Sequence, residues 1–268
     1  MMFKLGCMFL GVLMTATVFM GCDLSQDMMM DVMTPEDDEP DTTLPIDIMP
    51  PMDSDMVEME TLPVKLVWLV DYPVGGKDAY LAWIAEVAPT LLAPEELNRV
   101  ASYDNVRGEN PHRLVEFEFD NLSDAAKYLR RPDVAAVFRD LPNRSSQVST
   151  HVFAQRSSEY TKDENPTRTV KLVYLVDYPL GGKDAYLDWI ATVAPSLQEP
   201  EEVKRIASYD NIHGATPHRY VEFEFDSIAD ANTYLAREAV RAVTIELPNR
   251  TSRSSQLLYA QRLDYAEE

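Results

Sequence analysis

Residues 64–156 recur without a gap at residues 170–262: shifted by 106 positions, 59 of these 93 residues are identical. Each copy is the size of a small domain, and two like copies in one chain are expected to pack together about a pseudo-two-fold axis.

Each copy carries the same order of signals. Residues 65–72 form a nearly continuous apolar run, as in a strand buried on both faces, broken by Pro73 and Gly75-Gly76. Tyr80, Ile84, Val87, Ala88 and Leu91 then fall on one face of a helix, and Pro94-Glu95-Glu96 is expected to open a short helical turn. Residues 100–106 read as an edge strand. Val115, Phe117 and Phe119 alternate with Leu114, Glu116 and Glu118, the pattern of a strand with one apolar and one acidic face. Asp120 or Ser123 is placed to cap the next helix, Pro132 restarts it, and residues 148–156 read as a last strand. The order is βαββαβ, a ferredoxin-like unit in an α+β protein. Right-handed crossovers put both helices on one face and leave the other bare, so each unit needs a partner, which the second copy supplies.

Trp83-Ile84-Ala85-Glu86-Val87-Ala88-Pro89 with Leu91, and residues 115–120 followed by Asp124-Ala125, resemble the first helix and third strand of the dimeric α/β-barrel superfamily. Its EthD-like, stress-response and antibiotic-biosynthesis-monooxygenase groups set two bare sheet faces together as a barrel. The resemblance implies an intramolecular barrel from the two repeats, 63–157 and 170–265, joined by a polar linker, 158–169. Where EthD-like members often carry a His in the first helix, this chain has Val87 and Val193, so chemistry resting on that imidazole is not inherited.

Candidate site residues are polar positions present in both copies. Asp71 and Tyr72, with Asp177 and Tyr178, end the first strand and could line a barrel mouth, or simply start a proline turn. Tyr103 beside Asp104-Asn105, with Tyr209 beside Asp210-Asn211, brings a phenol near a carboxylate, although Asp-Asn before Gly is also turn chemistry. His112 and His218 open the third strand, where an imidazole can act as acid or base near neutral pH or merely be solvated. Glu116 and Glu118, with Glu222 and Glu224, fall on the face that a barrel would enclose. Four carboxylates there are costly unless paired or wet. Pairing with Lys65, Lys171, Arg156 or Arg262 is expected; the alternative is a wet, acidic pocket. The catalytic candidates are thus Tyr103, His112, Glu116, Tyr209, His218 and Glu222, and the ligand-binding candidates Asp71, Tyr72, Glu118, Asp177, Tyr178 and Glu224. Trp68 against Tyr174, Leu114 against Tyr220 and His151 against Leu257 make the halves unequal, which suits an asymmetric ligand.

Residues 1–21 read as a secretory signal: Lys4, then an apolar run over residues 5–20, too short to span a bilayer. Val18-Phe19-Met20-Gly21-Cys22 resembles a bacterial lipobox, with Phe19 where Leu is usual, which implies lipid on Cys22. The expected address is the cell envelope, anchored on the extracytoplasmic side, with Asp23 favouring the periplasmic face of the inner membrane. Residues 22–62 read as a disordered tether: thirteen acids, no Lys or Arg, eight Met and five Pro. The tether holds −13 of a net −21 and Lys4 adds +1, leaving −9 for residues 63–268, which argues against nucleic acid as a partner. With Cys7 in the signal and Cys22 at its end, the mature domains contain no cysteine, excluding disulfides and thiol chemistry. No metal or cofactor is expected. The leading expectation is a non-catalytic module that binds a small molecule or a partner. The alternative is a cofactor-independent enzyme of the monooxygenase or isomerase kind, and a third reading is self-assembly through exposed edge strands.

Overall fold

The computed structural model describes residues 61–73, 75–156, 160–162 and 169–266. The signal, Cys22, Asp23 and nearly all of the acidic tether lie outside them. The order is β1 (Val64–Asp71), α1 (Lys77–Leu92), β2 (Arg99–Asn105), β3 (Arg113–Phe119), α2 (Leu122–Arg130), α3 (Pro132–Asp140) and β4 (Gln147–Gln155). After a short β5 (Tyr160–Thr161) come β6 (Val170–Asp177), α4 (Gly182–Gln198), β7 (Arg205–Asn211), β8 (Arg219–Phe225), α5 (Ile228–Ala236), α6 (Glu238–Glu246) and β9 (Arg253–Ala266). Among the described residues no helix is long and apolar enough to cross a membrane.

The strands run β4-β1-β3-β2-β9-β6-β8-β7, and β4 pairs with β7 to close an eight-stranded antiparallel barrel with six helices outside it. Two seams, β2–β9 and β4–β7, join the halves. The strand expected at an edge over residues 100–106 is β2, Arg99–Asn105, and it lies inside the wall, with β3 on one side and β9 on the other. Every barrel strand has a neighbour on both sides, so the edge-to-edge assembly reading has no long edge to use. Within the expected linker, Tyr160–Thr161 pair with Ile206 and Arg205 of β7, beyond the stretch of β7 taken by β4. β4 and β5 together thus occupy the place that the longer β9 holds against β2.

Alternation explains why β1 is apolar throughout. Leu66, Trp68 and Val70 face outward beneath the helices, while Val67 and Leu69 face the barrel interior, and all are buried. Sealing each outward side chain is worth ~1.5–3 kcal/mol. Two cores lie between sheet and helices, one in each half, and a third fills the barrel. Local details differ from expectation. Pro94 starts a turn closed by Leu97 N–H to Pro94 O, not a helix. The α2 cap is Asn121, whose Oδ1 accepts from Asp124 N at 3.0 Å, rather than Asp120 or Ser123; Ser227 caps α5 in the same way. Arg131 is extended before Pro132, as proline requires of its predecessor, and Arg237 takes the same conformation before Glu238 without a proline.

Candidate functional site

Tyr103, Glu116, Glu118, Tyr209, Glu222 and Glu224 come together in the barrel. There the four glutamates meet four cations: Lys65, Lys171, Arg99 and Arg205. Lys65 Nζ lies 2.6 Å from Glu222 Oε1 and 3.3 Å from Glu116 Oε1. Lys171 Nζ lies 2.6 Å from Glu116 Oε2 and 2.7 Å from Glu222 Oε2, so each half supplies a lysine to the other's glutamate. Arg205 reaches Glu222 and Glu224 at 2.8 and 3.0 Å, and Arg99 reaches Glu118 at 3.0 Å. Tyr220 donates to Glu116 at 2.6 Å and Tyr209 to Glu222 at 3.0 Å. Arg99 and Arg205 fill the pairing role expected of Arg156 and Arg262, which bind rim carboxylates instead. Arg99, Ala101 and Tyr103 share a strand face with the glutamates opposite, and it is this alternation that puts Arg99 and Arg205 within their reach.

Burial alone would raise the Glu222 carboxyl, but Lys171, Lys65 and Arg205 outweigh it and hold it well below the ordinary range. Burial would likewise lower Lys171, but the charges of Glu116 and Glu222 keep it well above its ordinary value. Burial pushes Tyr103 up to about 12 and Tyr209 and Tyr220 well above their ordinary values. The depressed Glu222 contributes stability that is present above the unfolded carboxyl value, about 4.3, and lost as pH falls through the folded value. The raised Lys171 contributes stability that is present below about 10.4 and lost as pH rises through its folded value. Melting temperature followed against pH should hold its network contribution between about pH 5 and 10 and lose it on both sides. A Glu222→Gln variant that keeps the whole acid limb would show that this carboxylate does not carry it.

The remaining candidates form one cluster at each rim. His112 Nδ1 lies 3.2 Å from Asp71 Oδ1, and the ring stacks on Tyr72 at 5.3 Å between centroids. Tyr72 donates to Asp104 at 2.7 Å, and Asp104 also binds Lys77, Arg113 and Arg262. The second rim repeats this: His218 Nδ1 is 3.0 Å from Asp177, and Tyr178 donates to Asp210 at 2.8 Å. Asp210 binds Lys183 at 2.7 Å, Arg219 at 3.2 Å and Arg156 at 2.6 Å. Burial would raise Asp210, but the Lys183 hydrogen bond, Arg219, Tyr178 and Arg156 hold it below its ordinary value. Burial, helped by Asp104 and Asp210, pushes Tyr72 and Tyr178 up to about 12. The two histidines are about one-third exposed at the side chain, 32% and 34%.

Cavities lie behind these rims, between the outer face of the barrel and the helices. The second half holds one of about 380 Å³, walled by residues such as Tyr174, Tyr186, Ile190, Val221 and Phe223, with Arg156, Ser208 and Arg219 among its polar lining. Arg219 donates to Ser208 Oγ at 2.8 Å and lies over the Tyr186 ring at 5.7 Å, while its buried Nε has no hydrogen-bond partner among the described residues. The matching first-half cavity is about 260 Å³. Trp68 stands where the second half has Tyr174, and Phe138 where it has Thr244, and the two rings meet at 4.7 Å. Tyr174 and Thr244 are smaller, their oxygens 3.5 Å apart, and the second cavity is correspondingly larger. Both cavities cross the seams: Arg156 follows β4 and lines the second, whereas Arg262 in β9 lines the first. Arg113 and Arg219 are not among the candidates that the sequence pattern singles out. Their signal was parity, because Arg113 shares the outward face of β3 with Val115, Phe117 and Phe119.

No family model matches the sequence, and no curated protein matches it either. Solved structures match the fold. An anthrone oxidase-like protein superposes with a TM-score of 0.61 at 11% identity, over 77% of this chain and 93% of its own. A protein described as a monooxygenase, from Fusobacterium nucleatum, gives 0.57 at 8% identity, over 78% of this chain and all of its own. A chlorite dismutase mutant from Candidatus Nitrospira defluvii, in complex with cyanide, gives 0.50 at 13% identity, over 78% and 94%. The likeness is one of fold, that of the dimeric α/β-barrel proteins. The leading expectation, a non-catalytic module, is corrected by these three neighbours, which are described as an anthrone oxidase-like protein, a monooxygenase and a chlorite dismutase and so favour the enzymatic alternative.

Proposed function

We propose that this chain is a cofactor-independent oxidase or monooxygenase that acts on an aromatic carbon acid held in the second-half cavity. The observation that carries this reading is that cavity of about 380 Å³, with aromatic and aliphatic walls and a polar lining that includes Arg219, Arg156, Ser208, Gln198 and Thr244. A C–H bond conjugated with a ring carbonyl, as at the methylene of an anthrone, yields an enolate on losing its proton to solvent water, since no carboxylate or imidazole is among the described residues that line the cavity. A buried guanidinium stabilises the enolate oxygen more strongly in an apolar cavity than in water. The electron-rich enolate is then oxidised by dioxygen. In balance, a methylene and O₂ become a carbonyl and water, with the substrate as the reductant. The names of the anthrone oxidase-like and monooxygenase relatives point the same way.

Oxygen uptake with anthrone and hydroxylated anthrones is the test. The expected result is uptake above the uncatalysed rate, one O₂ per substrate consumed, reduced ~100-fold by Arg219→Met. No uptake with any of these substrates would sink the oxidative reading, and a rearranged product without uptake would move the case to an isomerase.

In the same reading the two halves are an internal pair of ferredoxin-like βαββαβ units, doing within one chain what two subunits do in a dimeric barrel. The 59 identities in 93 residues and the strand order of each half support this. The lipobox-like Cys22, Asp23 and the acidic stretch 22–62 support an enzyme tethered by lipid at the periplasmic face of the inner membrane.

A further inference from the structure

We infer that the ligand of the second-half cavity is an aromatic anion, one that carries a carboxylate or an equally acidic group in its ground state. This rests on the reading of that cavity as the substrate site and adds the charge of what enters it.

Three observations carry it. First, Arg156 and Arg219 line the cavity, and among the described lining residues there is no Asp or Glu. The chain has 45 acidic residues against 24 Lys and Arg, so a cationic lining runs against its composition. Second, three cations converge on one carboxylate. Lys183, Arg156 and Arg219 lie 2.7, 2.6 and 3.2 Å from the oxygens of Asp210, which also accepts from Tyr178. One negative charge cannot balance three positive ones, and the other rim carboxylate, Asp177, faces His218 and Arg253. The surplus sits beside an apolar cavity, where an ion from the ligand meets weaker screening than at the surface. Third, Arg219 is 4% exposed, yet its Nε is left without a hydrogen-bond partner among the described residues, an unmet donor on a buried charge. A carboxylate accepts from guanidinium N–H groups in a fork geometry that a neutral carbonyl cannot match. The walls then fix the rest of the class, since Tyr174, Tyr186, Val221 and Phe223 suit a flat ring system.

The experiment is calorimetric titration of the full chain with three probes of one shape: naphthalene-2-carboxylate, naphthalene-2-methanol and 2-naphthylmethylammonium. The carboxylate should bind at least ~10-fold tighter than the alcohol and the ammonium weakest, as charge-assisted hydrogen bonds predict. Arg219→Met should collapse the acid's advantage over the alcohol. If that variant fails to fold, Arg156→Met, at a more exposed side chain, should cut the same advantage several-fold. An alcohol that binds as tightly as the acid, or no binding of any probe, overturns the inference. So does an acid preference that survives Tyr174→Trp, because the anion then binds elsewhere. The two readings fail separately. Acid preference without oxygen uptake on any acid-bearing anthrone keeps the anionic site and removes the oxidase; uptake with neutral anthrones and no acid preference does the reverse.

Discussion

Replacing Lys171 with methionine should lower the unfolding free energy by ~3–5 kcal/mol, the cost of breaking a buried ion pair from one side. Lys171 is fully buried, and its Nζ touches Glu116 and Glu222 at 2.6 and 2.7 Å. Without it, two carboxylates in the barrel interior have one fewer cation between them and share Lys65, which lies 3.3 Å from Glu116 and 2.6 Å from Glu222. Either they remain charged and repel, or one takes a proton that it would not hold in water. Adding Glu116→Gln should recover part of the loss, so the double variant should be less damaged than the two single effects summed. Urea denaturation of the four proteins closes this cycle. A Lys171→Met variant as stable as the parent would mean that the interior charges are not the balanced set described above.

The second large effect concerns activity rather than stability. Tyr174→Trp together with Thr244→Phe rebuilds in the second half the ring packing of the first, where Trp68 lies 4.8 Å from Phe117 and 4.7 Å from Phe138. The cavity of about 380 Å³ should shrink toward the 260 Å³ of its counterpart. Turnover should fall ~100-fold or more, since even a small misplacement of a bound substrate costs that much. Overpacking should cost stability no more than ~1–3 kcal/mol, because the first half shows that these rings fit this frame. Filling the first cavity further, at Ala88→Val, should leave turnover unchanged. Equal activity in the filled and parent proteins would place the reaction elsewhere.

Much of the fold was legible because its signals are local and periodic. Alternation in residues 113–119 put Glu116 and Glu118 on the enclosed face, where they are found. The repeat itself made a closed partner for each sheet face foreseeable. Less visible were features that depend on which strands meet across the seams. Residues 100–106 look like an edge strand from within one copy, and only β9, from the other copy, makes β2 interior. Arg156 and Arg262 look like partners for the glutamates in sequence, yet the closing strands carry them to Asp210 and Asp104 outside the barrel. The candidate cavity escaped for a different reason. Its size difference comes from two positions 70 residues apart, 174 and 244, that touch only once α6 lies on the sheet. Tyr174 stands out as a difference between the copies, but Thr244 gains meaning only once the fold sets it beside Tyr174.

Two cavities of unequal size in one chain also bear on how such a protein can change. In an assembly of identical subunits every mutation is made twice, so a residue that blocks one site blocks its twin. Here the copies are encoded separately, and Trp68 and Phe138 can fill one side while Tyr174 and Thr244 leave the other open. If the second-half cavity is the substrate site, as proposed, the first half is free to serve as a buttress that lends Arg156 across the seam, and the second can follow a single ligand without compromise.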